Sequence, residues 1–144
     1  MADDLLLIVR LDGERVAFPA DDVESVVELE RLTPVPGVPP HVAGLAALRS
    51  RVLTVIDCVA SLDPGRTIGS VRDAVVVVVE GHPYALLVDT VEDVVAAEGG
   101  VGPVRTALAD GWSRVARGMV EAEGQLTLLA DVQAFISGPV AKAA

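Results

Sequence analysis

The chain carries one pattern twice. Residues 13–30 read GERVAFPADDVESVVELE and residues 81–98 read GHPYALLVDTVEDVVAAE. At an offset of 68, Gly13/Gly81, Ala17/Ala85, Asp21/Asp89, Val23/Val91, Glu24/Glu92, Val26/Val94, Val27/Val95 and Glu30/Glu98 are identical, eight of eighteen positions. A second pairing follows at an offset of 74: Gly44-Leu45 and then Asp57, against Gly118-Met119 and then Asp131. Both glycines stand thirteen residues before their aspartate, with an apolar, strand-like run between. Two copies are too few for a solenoid, which needs about three repeats for stability. The expectation is one domain spanning 1–144, built of two similar β units packed together, with the internal repeat over 13–62 and 81–136.

The length of 144 residues suits one domain. Half the residues are apolar but only 3% are aromatic, so the core must be Val, Leu, Ile and Ala. A β-branched side chain sits well on a pleated surface, so such a core favours strands. Strands are expected at 5–11, 16–18, 23–30, 45–50, 52–57, 74–79, 84–88, 91–97, 114–121 and 126–130. The run Ala74 to Val79 should be buried on both faces, because it lacks the alternation of a half-wet strand. Asp12-Gly13 is a hairpin signal. Four prolines between Leu32 and Pro40 predict an irregular connector. Asp63 to Ser70 should loop between the copies, and 98–103 should be a Gly/Pro loop. Short helical turns are expected near Val59 to Leu62 and, at the C-terminus, over Val132 to Ile136. Many short strands at close spacing point to barrels or a sandwich.

A net charge of −10 argues against nucleic acid, whose phosphates demand clustered Lys and Arg. It equally disfavours anionic membrane surfaces. Asp3-Asp4 occupy the place of the basic region of a signal peptide, and no apolar run approaches a membrane span. A single cysteine, Cys58, fits a reducing compartment and reads as a small core residue. A cytoplasmic protein is expected. His41 and His82 lack partners at metal-ligand spacing, and no glycine-rich loop leads into a helix with a lysine. No metal, cofactor or small-molecule substrate is expected.

The best enzymatic case lies in Leu86-Leu87-Val88-Asp89-Thr90, similar to the signature of aspartic proteases, with Asp21 as the partner carboxylate. Val91 stands where that signature needs glycine, so the aspartates are expected to cap and turn the chain instead. Trp112 reads as a barrel plug, and Val26 and Val94 as core. Arg49 and Arg51 stand between two strands in an otherwise acidic chain. Arginine presents five donors in a rigid fork and is enriched at interface hot spots.

Residues 42–57, VAGLAALRSRVLTVID, resemble the G-(V/I)-x-N-L-R-G-x-(V/I)-x-P-(V/I)-(V/I)-D stretch of the CheW-like domain of bacterial chemotaxis coupling proteins. Pro36-Gly37-Val38-Pro39, residues 85–94 and the closing segment from Gly118 to Asp131 extend the resemblance in order over nearly the whole chain. It implies an all-β fold of two five-stranded, SH3-like barrels packed together. It also implies a non-enzymatic adaptor with two partners, the regulatory domain of a CheA-type histidine kinase and the cytoplasmic tip of a chemoreceptor. A coupler serving pilus motility or second-messenger control is the alternative within that scaffold. Transferred by position, the interface would comprise Val23, Gly44, Leu48, Arg49, Ser50 and Arg51. Ala47, Ser50 and Thr54 depart from the pattern's Asn, Gly and Pro, so Ser50 should be strained if its turn needs positive φ.

Overall fold

The computed structural model describes residues 5–69, 73–104 and 107–139. In chain order the elements are β1 (Leu5–Leu11), β2 (Glu14–Pro19), a 3-10 turn (Ala20–Asp22), β3 (Val23–Glu28), β4 (Val42–Leu48) and β5 (Arg51–Asp57). There follow α1 (Cys58–Leu62), β6 (Asp73–Val79), β7 (His82–Leu87), β8 (Thr90–Ala96) and β9 (Glu98–Gly102). The chain closes with α2 (Asp110–Val115), β10 (Ala116–Ala122), β11 (Gln125–Ala130) and α3 (Val132–Ser137). The all-β expectation holds, with three short helices. Two local expectations do not. Residues 98–102 form a strand rather than a loop, and α2 takes Arg114 and Val115 from the strand expected at 114–121, which begins at Ala116 instead. Asp3, Asp4 and Ser70 lie outside the described residues.

The strands make two sheets. One runs β3-β6-β7-β5-β4, the other β8-β1-β2-β11-β10-β9. Each copy of the repeat supplies both: β2 and β8 lie in the second sheet, β3 and β7 in the first. β5 and β7 pair in parallel in one sheet, as β11 and β2 do in the other. The sixth strand does not add a wall. β8 pairs with β1 and β9 with β10, and only Ala97 separates β8 from β9, so one bent strand closes the barrel. In the other barrel the chain runs on from β3 to an isolated bridge between Thr33 and Leu45 of β4, which closes it the same way.

This closure explains the repeated glycines. A Cβ at Gly44 would lie 2.3 Å from the Thr33 carbonyl oxygen, and one at Gly118 would lie 2.5 Å from that of Gly102. Each glycine admits the returning arm of the bent strand, and each adjoins a bulge in its hairpin. The repeated aspartates are helix caps. Asp57 Oδ1 accepts the Ala60 amide at 3.0 Å, and Asp131 Oδ1 accepts that of Ala134 at 3.2 Å.

Burial on both strand faces follows from the same architecture. Ala74 and Val76 of β6 point into their barrel with Leu53, Val55, Ala85 and Leu87. Val75 and Val77 point outward, into the seam between barrels. In β1, Leu6 and Ile8 fill the second barrel, while Leu7, Val9 and Leu11 face the seam. Valine on both sides is thus demanded by two cores sharing one strand, each buried side chain contributing about 1.5–3 kcal/mol. Val78, on the face of β6 opposite the seam, is exposed, so the run is not buried on both faces to its end.

The seam also takes Phe18, Phe135 and Cys58. Burial, with Asp57 adjacent, pushes the Cys58 thiol well above its ordinary range, as befits an inert core residue. Trp112 is a correction: it rides on α2 and packs against the seam, so it plugs neither barrel.

Candidate protein-interaction site

The β4–β5 hairpin places most of the sequence-predicted residues. Its turn is Arg49-Ser50, with φ of 50° and 68°. Both residues are exposed, as is Arg51, while Leu48 is half-buried against the core of its barrel. The two arginines differ in what they touch. Arg51 reaches across to Glu24 at the start of β3, Nη1 donating to Oε2 at 3.4 Å and Nη2 to Oε1. Arg49 has no hydrogen-bond or ion-pair partner among the described residues. Its guanidinium is left to project from the turn, while Arg51 ties the hairpin to β3.

That tie brings the start of β3, with Val23, to the same end of the barrel as the turn. Val23 is half-buried and packs against the seam rather than facing outward. Gly44 stands apart, buried at the other end of β4, and its closure role accounts for its identity without a partner.

The sequence missed an apolar component of the outer surface. Val26 is 42% exposed and Val94 52% exposed, so the expectation that both are core is corrected. They fall on the outward-facing positions of β3 and β8. Val52 (59%) and Leu126 (71%) are likewise exposed and sit at equivalent positions, 74 apart. Leu45, within β4 of the same hairpin as Val52, is also exposed. Each barrel therefore presents an equivalent apolar pair outward, Val26 and Val52 on one and Val94 and Leu126 on the other. The duplication was the available signal: paired positions that stay apolar on a wet face.

The remaining candidates have structural occupations. His41 is buried, its Nε2 on the Ile136 carbonyl at 2.8 Å, with Gly138 packed against the imidazole. His82 lies 2.9 Å from Thr54 Oγ1. Asp89 Oδ2 accepts the Asp12 amide at 2.9 Å, whereas Asp21 lines a separate groove with Asp22, Glu80 and Asp131. Among the described residues no group of three His, Cys, Asp or Glu is placed to hold a metal ion, and no helix is long and apolar enough to cross a membrane. What the outer surface offers is an arginine at a turn tip beside exposed aliphatic side chains. That combination suits docking of a macromolecule.

The comparisons with known proteins agree with this architecture. The model of the CheW-like domain matches residues 5–139. The chain is similar to a chemotaxis protein CheW of Thermotoga maritima, 25% identical over 131 residues covering 91% of this chain and 86% of that protein. A chemotaxis protein CheW of Rhizobium meliloti is 28% identical over 142 residues, covering 91% and 92%. The crystal structure of a scaffolding protein, TtCheW from Thermoanaerobacter tengcongensis, superposes with a TM-score of 0.74 at 20% identity, covering 90% of this chain and 85% of that one. Two barrels closed by bent strands and a family match over almost every residue converge: this chain belongs to the CheW-like domain family.

Proposed function

We propose that this protein is a chemotaxis adaptor, which couples membrane chemoreceptors to a CheA-type histidine kinase through protein–protein contacts. The observation that carries it is the family match over residues 5–139 on a twin-barrel fold. We read the chain as one cytoplasmic, non-enzymatic domain of two similar barrel subdomains. An adaptor of this kind changes kinase output by binding two kinase states unequally, so its mechanism is a coupling free energy between contact surfaces.

In this proposal the β4–β5 turn is an anchor, with Arg49 as its charged fork and Leu48, Ser50 and Arg51 holding it in place. Val23 and Gly44 support that anchor from β3 and from the far end of β4. Arg49→Ala should leave stability within about 0.5 kcal/mol, since an exposed arginine without partners contributes little. It should weaken co-sedimentation of the protein with receptor-containing membranes and kinase. Unchanged co-sedimentation removes Arg49 from the interface.

A further inference from the structure

The main strands and the helices α1 and α3 correspond between the halves, yet among the described residues one pair of equivalent surfaces is covered on one side and open on the other. In the first half, residues 63–69 leave α1 and lie over the β1–β2 turn and the α1 cap. Arg66 forms a two-pronged ion pair with Asp12, Nη1 to Oδ2 at 2.7 Å and Nη2 to Oδ1 at 2.6 Å. Two residues on, the Ile68 amide donates to Asp57 Oδ2 at 2.9 Å. The Ile68 side chain is half-buried against the seam cluster that includes Leu11 and Cys58.

The offsets of 68 and 74 carry Asp12 onto Glu80, Leu11 onto Val79, Asp57 onto Asp131 and Cys58 onto Val132. All four of these counterparts line one open groove of about 460 Å³, together with Asp21, Asp22 and Arg117. The frameworks match closely. Asp12 has a φ of 53° and Glu80 of 52°, and the two caps share an extended backbone at ψ 107° and 106°. In both caps Oδ1 takes the amide three residues on. Asp57 spends its second oxygen on Ile68, while Asp131 Oδ2 has no hydrogen-bond partner among the described residues. The molecule therefore contains the same turn-and-cap frame twice, and in the first half residues 66–68 fill it.

We propose that the open groove is a docking site for an extended basic segment of a partner protein, of the form Arg/Lys-x-aliphatic, seated as residues 66–68 are seated in the other half. The cation would pair with Glu80, the amide two residues on would donate to Asp131 Oδ2, and the aliphatic side chain would cover Val79 and Val132. Charge selects this occupant: four carboxylates face one guanidinium, on a chain of net charge −10. An acidic or purely apolar segment has no counterpart there.

The chain's own residues 63–69 supply the probe. A fluorescein-labelled peptide Asp-Pro-Gly-Arg-Thr-Ile-Gly should bind the full chain saturably in an anisotropy titration, more weakly as salt rises. Glu80→Lys and Asp21→Lys, both on exposed turns, should each weaken it by about tenfold or more, with circular dichroism unchanged. Replacing the arginine of the peptide by glutamine should do the same. Absence of saturation at about 1 mM peptide, or equal binding to the two lysine variants, overturns the proposal. So does binding that emerges only when residues 140–144 are deleted, since that result assigns the groove to the chain's own end.

Discussion

Among the described residues four two-residue turns join hairpins, and each holds two residues of positive φ: Asp12-Gly13, Arg49-Ser50, Glu80-Gly81 and Glu123-Gly124. That geometry matches the twist of the flanking strands and favours glycine second. Three turns comply, and Ser50 is the exception. An L-residue there costs about 1–2 kcal/mol, partly offset because glycine loses about 0.5–1 kcal/mol more in chain entropy. Ser50→Gly should therefore stabilise by about 0.5–1 kcal/mol, read as a higher urea midpoint. A lower midpoint would mean that the serine side chain holds the turn. Asp12-Gly13 was legible in the sequence because its chemistry is local. Gly44 and Gly118 were visible as a recurring spacing, but their cause was not, since the colliding carbonyls arrive from a strand eleven to sixteen residues upstream. Val26 and Val94 were misplaced because a valine-rich strand hides which face is wet; only the alternating burial along β3 tells them apart.

The least legible element is α2. Six residues with a glycine and a tryptophan make no helical stripe, and so short a helix stands on tertiary contacts. Gly111 lies against the Leu62 backbone, where a Cβ would be 2.1 Å from the carbonyl oxygen. Arg114 then clamps three helices at once. Its guanidinium donates to the Ala134 carbonyl of α3, and to the carbonyl and hydroxyl of Ser61 of α1 at 2.5 and 2.9 Å. Ser61 in turn donates to the Phe135 carbonyl at 2.9 Å. Burial of the guanidinium lowers the Arg114 pKa, the attraction of Asp131 opposing it. Arg114→Met keeps the aliphatic stem and removes the donors, leaving the carbonyl of buried Ser61 without its guanidinium partner, while the Ala134 carbonyl keeps the Gly138 amide. A loss of about 2–3 kcal/mol is expected in urea unfolding. A loss below about 0.5 kcal/mol would show that water takes over. Short α1 and α3 were anticipated because Asp57 and Asp131 announce their caps in the sequence itself.

At the scale of the whole molecule, residues 63–69 tie the two barrels together through Arg66 and Asp12. The Arg66 guanidinium holds the Asp12 carboxyl below its ordinary range. A depressed folded-state pKa contributes stability above the unfolded value, and that contribution is lost as pH falls through the folded one. Asp12→Asn keeps the turn, since asparagine tolerates positive φ. Its urea midpoint should lie below the wild type's at pH 7, with the gap closing as pH falls below 4. A gap that persists under acid would assign the effect to something other than charge. The doubled sequence foretold two barrels, but not how they are threaded. The β3–β7 barrel is drawn from residues 23–87 without interruption, while the other takes residues 5–19 and then 90–130. On a translating ribosome the first hairpin therefore emerges with its partner strands unmade. It must wait through the birth of an entire inner barrel, its valines and leucines uncovered, until residues 90–130 have been made.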